Sequence, residues 1–147
     1  MARVGFYHME QDGWEAVLPA LLEKTLKSGM RAVVWMDSEE RVESVNRMLW
    51  TYRPESFLPH GSARDGFPER QPVFLTAREE NPNQAQVLVL AGFYETDKIK
   101  DFQRVMVMVD GRDRESVEKS RTLWKACQEG HERAYFRKTA DGWEKKA

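Results

Sequence analysis

Residues 31–50 read RAVVWMDSEERVESVNRMLW. The first six form a short, nearly unbroken apolar run, which suits a strand buried in a parallel sheet. The period then changes. Val42, Val45 and Leu49 recur at helical spacing behind Asp37 and Glu40, a D-x-x-E start signal. A buried strand feeding an amphipathic helix is the repeating unit of an α/β protein.

The same alternation extends outward. RVGFYHM (3–9) reads as a strand closed by the polar turn EQDG. Asp12 and Glu15 repeat the start signal, and Trp14, Val17, Leu18, Leu21, Leu22 and Leu26 follow at helical spacing up to Gly29. Pro19 inside this pattern either kinks the helix or delays its start. Downstream, SFLPH offers a short strand, and GSARDGFPERQP (61–72) is turn-rich and reads as a surface loop. VFLT (73–76) and VLVL (87–90) are strands, 95–102 suits a short helix, and RVMVMV (104–109) reads as a central strand. Asp113 caps a helix over 114–129, which Gly130 ends. RAYFRK (133–138) alternates like a last strand, and DGW (141–143) turns into a charged tail. The pattern predicts one α/β domain over 1–147, with a largely parallel, mixed sheet and helices on both faces.

Formal net charge is −1, so the whole molecule is not a bulk polyanion binder. The charge is uneven: residues 1–97 carry net −5 and residues 98–147 net +4. The C-terminal third is thus the surface suited to an acidic partner. Cys127 is the only cysteine, which excludes an intramolecular disulfide and makes a cytoplasmic location the default. No apolar run approaches the ~18 residues of a membrane span, and the N-terminus lacks a signal-peptide core.

This fold class often binds nucleotides, yet neither G-x-G-x-x-G nor G-x-x-x-x-G-K-[ST] occurs, and no cofactor is expected. Asp37 and Asp110 end strands where α/β sheets bind ligands, so a metal-dependent phosphohydrolase or nuclease is the enzymatic alternative. Each acid also has a local role, Asp37 as a helix cap and Asp110 in an Asp-Gly turn with Gly111, and the residues favour those roles. His8, His60 and His131 have no metal-ligand spacing, and Cys127 lies on the apolar side of its helix with Val117 and Trp124. His60-Gly61 with Asp65-Gly66 forms either an anion-binding nest or a plain turn.

Two surfaces suit protein partners. Arg114, Glu118, Arg121 and Lys125 fall on one helical stripe bordered by Trp124, with further charge from Arg137, Lys138, Lys145 and Lys146. Cations beside a large ring suit an acidic peptide ending in a hydrophobic residue, although the same spacing describes a solvated helix face. LWTYRPESFLPHG (49–61) sets three aromatics, Trp50, Tyr52 and Phe57, in a stretch broken by Pro54 and Pro59, with Trp50 and Phe57 either as interface anchors or as packing that closes one end of the sheet.

FYH near the N-terminus, LW-x5-SFLPHG at 49–61, DG-x3-RQPV at 65–73, ENPN at 80–83 and VMVDGRD…WKA in the last third resemble the chi subunit of bacterial DNA polymerase III holoenzyme over nearly the whole chain. The resemblance implies a Rossmann-like domain without nucleotide chemistry and a non-catalytic accessory role in the clamp-loader complex during DNA replication. It implies binding of the acidic C-terminal tail of single-stranded-DNA-binding protein through Arg121, Trp124 and Lys125; Val117 stands where the family has a lysine, and Arg114 or Lys119 is the residue placed to compensate. It also implies binding of the psi subunit through Trp50, Phe57, Leu58 and Pro59, an XPD-like helicase as another partner in some members, and only indirect contact with DNA.

Overall fold

The computed structural model describes residues 2–11, 13–52 and 58–147. Among the described residues, eight strands form one sheet: β1 (Arg3–Met9), β2 (Ala32–Met36), β3 (Gly61–Ser62), β4 (Val73–Thr76), β5 (Val87–Ala91), β6 (Arg104–Asp110), β7 (Glu132–Thr139) and β8 (Gly142–Lys145). Their order is β3-β4-β2-β5-β6-β1-β7-β8. Every pairing is parallel except that of β7 with β8. Helices α1 (Leu18–Lys27) and α2 (Glu39–Thr51) pack on one face, and α3 (Arg114–Ala126) packs on the other. The mixed, mostly parallel α/β architecture expected from the pattern is therefore present.

Alternation along each strand divides the core in two. Val34, Met36, Leu75, Val89 and Met108 meet α1 and α2, whereas Phe6, Val33, Leu88, Val107 and Leu123 fill the side of α3. All five residues of β2 and of β5 are buried, which is why both read as continuous apolar runs. Among the described residues, no helix is long and apolar enough to cross a membrane.

Several local expectations change. The first helix begins at Leu18, after a 3-10 turn at Trp14–Ala16, with Pro19 in its first turn. Proline is tolerated there because its missing N–H would have no partner within the helix. Asp12 lies outside the described residues. Ser38, not Asp37, caps α2: its side chain accepts from the Arg41 amide at 3.2 Å. The 95–102 segment makes only a 3-10 turn at Ile99–Asp101. DGW opens a hairpin into β8 instead of a free tail.

The supposed surface loop at 61–72 contributes the buried strand β3. Its turn is closed by a reciprocal cap, in which the Ser62 amide donates to Asp65 Oδ2 at 2.8 Å. That hydrogen bond holds the Asp65 carboxyl below its usual range. The Ser62 amide that would face a bound anion is thus already engaged by Asp65. Asn83 of the ENPN motif is 1% exposed, and its Nδ2 donates to the carbonyls of Ala32 and Gln71 at 3.0 and 2.9 Å. It ties the start of β2 to the segment entering β4.

Candidate functional site

Helix α3 is held by its buried side. Ser116, Ser120 and Leu123 face the sheet, and Asp113 caps the N-terminus by accepting from the Glu115 amide at 3.1 Å. Arg114, Glu118, Arg121 and Lys125 are all exposed on the outer stripe. The two halves of that stripe differ electrostatically. Arg114 Nε donates to Glu118 Oε1 at 3.1 Å, and Lys119 pairs with Glu115 and Glu95. Among the described residues, Arg121 and Lys125 have no carboxylate partner. The N-terminal half is internally neutralised, and the C-terminal half presents two available cations.

Trp124 borders this stripe and is half-buried. Its ring meets Phe6 edge-on at 5.3 Å and Tyr135 edge-on at 5.7 Å between centroids. The Arg133 guanidinium sits 4.1 Å from the ring centroid and also donates to the Trp124 carbonyl at 2.7 Å. The indole is therefore fixed from strands β1 and β7 and stays partly exposed. Tyr135 extends the patch, and its hydroxyl pairs with His8 Nδ1 at 2.6 Å. Burial lowers the His8 pKa, and Arg137 and Arg121 act in the same direction against Glu10 and Asp110. Arg121 thus reaches the electrostatic environment of the His8–Tyr135 pair.

Sequence spacing found Arg121, Trp124 and Lys125 but missed Arg133, Tyr135 and His8. The alternation of RAYFRK, read only as the mark of a strand, is the signal that puts Arg133 and Tyr135 together on the α3 side. The same period separates the cations near the end of the chain. Lys138 and Lys145 share the opposite face with Trp143 and Phe136. Arg137 and Lys146 are engaged by Glu10 and Glu144.

At the end of α2, Trp50 is 52% exposed and its ring lies 4.6 Å from that of His60. His60 is buried, with Nδ1 2.7 Å from the Leu58 carbonyl and Nε2 3.1 Å from the Asn46 carbonyl. It fastens the segment entering β3 onto α2. Leu58 is only 2% exposed and belongs to the core, and Pro59 is half-buried. Tyr52 bonds to Glu23 of α1. Phe57 and Pro54 lie outside the described residues, so within this stretch the structure describes Trp50 as an exposed ring and Leu58 as core packing.

Asp37 and Asp110 both line a cleft of ≈120 Å³ at the C-terminal ends of the strands, together with Trp14, Arg41, Tyr94 and Ser116. Arg41 Nε donates to Asp37 at 3.2 Å, while its Nη1 reaches Glu15 at 3.1 Å. Asp110 accepts from the Arg112 amide at 3.0 Å and from its guanidinium at 3.1 and 3.3 Å. Burial pushes the Asp110 carboxyl up, but the hydrogen bonds and charge of Arg112 outweigh it and leave the group below its usual range. Each acid is thus engaged by its own arginine. Among the described residues, no group of three or more His, Cys, Asp or Glu is placed to hold a metal ion. Gly111 is required by packing: a Cβ there would lie 2.7 Å from the Met9 carbonyl oxygen.

The sequence profile of the family described as "DNA polymerase III chi subunit, HolC" matches residues 1–133. A "Probable DNA polymerase III subunit chi" from Rickettsia prowazekii (strain Madrid E) is 32% identical over 117 residues, covering 75% of this chain and 71% of that protein. The "DNA polymerase III subunit chi" of Pseudomonas aeruginosa PAO1 is 28% identical over 112 residues, covering 74% and 78% respectively. The chain belongs to the DNA polymerase III chi subunit family.

Proposed function

We propose that this accessory subunit of the replicative polymerase works as a non-catalytic adaptor. It binds the acidic C-terminal tail of single-stranded-DNA-binding protein and connects it to the clamp loader through the psi subunit. The observation that carries the reading is the pair Arg121 and Lys125, without carboxylate partners among the described residues, on a stripe bordered by a half-buried Trp124. The cations attract the acids and terminal carboxylate of the tail, and the indole walls a seat for its last hydrophobic side chain. Arg114 is an outer contact about 10 Å along the helix, and it must exchange Glu118 for the tail to take part. The psi subunit, or an XPD-like helicase in its place, docks at the α2 end through Trp50 and Phe57, together with the adjoining Leu58 and Pro59. DNA is reached only through these partners, and residues 1–147 act as one domain.

A short linear peptide at such a site binds at micromolar strength, roughly −8 kcal/mol. Calorimetry with an acidic peptide ending in phenylalanine, and with the same peptide lacking that residue, tests the reading. Arg121→Ala and Lys125→Ala should each weaken the full peptide about 5- to 10-fold, as expected for loss of a charge-assisted contact. Unchanged binding in both variants would remove the site from α3.

A further inference from the structure

On the face that carries α1 and α2, the sheet is covered unevenly. The two helices pack over its middle, where β2 and β5 are wholly buried. Strands β7 and β8 lie beyond them, and none of their residues is fully buried. Between α1 and this uncovered margin runs a groove of ≈430 Å³, lined by Leu21, Lys24, Arg104, Phe136 and Trp143 among others. Its floor is a connected set of aromatic rings. Tyr7 stacks on Phe136 at 5.3 Å and meets Trp143 edge-on at 5.3 Å. Trp143 is 39% exposed, and among the described residues it shares such exposure of a large apolar side chain with Trp50 and Phe67.

The rim is cationic. Lys24 and Arg104 line the groove, and none of its lining residues is an acid. Antiparallel register sets Lys145 across from Phe136 and Lys138 across from Trp143, on the same face. None of these four cations has a carboxylate partner among the described residues. This surface lies on the opposite side of the sheet from α3. It is also on the flank of α1 away from α2, which meets α1 through Tyr52 and Glu23.

We propose that this groove docks an amphipathic helix of a partner protein, with acidic residues along both flanks of its apolar ridge. A helix is the element that covers open faces of parallel sheets, because its ridge side chains fill the space above the strands. The groove volume holds several large side chains of such a ridge while the helix backbone rides on the rim. Charge selects the partner. Two copies of this chain meeting through the same face would set four cations against four, which disfavours a symmetric dimer.

The test uses a synthetic, fluorescein-labelled peptide of about 18 residues, five turns of helix, with Leu and Phe at i, i+3, i+4 and i+7 and Glu on the flanks. One control carries Lys on the flanks, and another scrambles the order. Anisotropy should show saturable binding of the acidic helix and at least about 10-fold weaker binding of both controls. Lys24→Glu with Arg104→Glu should weaken binding about 10-fold, as should Trp143→Ser, while Arg121→Ala should change it less than about 2-fold. The two charge reversals are at exposed positions and leave the core intact, so their effect is separable from unfolding. Absence of saturable binding, equal binding of the controls, or indifference to the groove variants overturns the proposal. A bound peptide without helical circular dichroism overturns it as well. So does a concentration-dependent dimer that Trp143→Ser abolishes, because the occupant is then a second copy.

Discussion

Replacing Arg133 with methionine should lower folding stability by about 2 kcal/mol, although the residue is only half-buried. Two interactions set the size. The guanidinium lies 4.1 Å from the Trp124 ring centroid, a cation–π contact that contributes about 1 kcal/mol when partly shielded from water. It also donates to the Trp124 carbonyl at 2.7 Å, near the end of α3, where a cation opposes the helix dipole and contributes about 1 kcal/mol more. Methionine preserves much of the aliphatic packing, so the loss reports on the charged head. For a chain of this size the melting temperature should fall by about 4–8 °C. Urea unfolding followed by circular dichroism is the assay, with an unchanged slope required before midpoints are compared. Arg133→Lys should fall in between, because lysine keeps the charge and loses the planar fork. A double-mutant cycle with Trp124→Leu should return a coupling of about 1 kcal/mol. A stability change below about 0.5 kcal/mol in Arg133→Met, or a coupling of zero, would refute the idea that Arg133 holds the indole in place.

Three further outcomes are expected. The lowered pKa of His8, from an ordinary 6.5, means that the unfolded chain binds the proton more readily in the window just below 6.5. Stability should therefore decline as pH falls through that window, and His8→Gln should flatten the dependence in urea midpoints taken between about pH 7.5 and about pH 5.5. Leu58→Ala should cost about 2–4 kcal/mol and Trp50→Ala about 1 kcal/mol, because Leu58 is core whereas Trp50 is half-exposed; comparable losses in thermal melts would contradict this division. Asn83→Ala removes two donations inside the core and should cost about 2–3 kcal/mol, read from the same melts, with a neutral result showing that water replaces the amide.

The fold was legible wherever burial is two-sided or periodic. RAVVWM, VFLT, VLVL and RVMVMV all became strands of the sheet, and Val42, Val45 and Leu49 became the buried side of α2. Short-range polar chemistry was harder to read. Ser38 took the cap assigned to Asp37 because Asp37 is drawn to Arg41 one turn later. A two-residue strand such as β3 leaves no periodic trace, and β8 reads as a charged tail because three of its four residues are exposed. For the α3 surface, spacing placed Arg121, Trp124 and Lys125 together, but the supports from β1 and β7 are distant in sequence. The motifs that carried the family resemblance turned out to hold much of the frame: His60 pins α2, Asn83 ties β2 to the approach to β4, and Gly111 permits the close approach to β1.

The position of β1 has a consequence for synthesis. Its first residue pairs with Arg104 on one side and Glu132 on the other, both more than a hundred positions downstream. At ordinary elongation rates the segment RVGFYHM leaves the ribosome roughly 5–20 s before its first partner strand exists. During that interval Val4, Phe6 and Tyr7 can form none of their native sheet contacts with β6 and β7. The nascent chain should therefore depend on holding chaperones early, and the sheet should close late in a single concerted step.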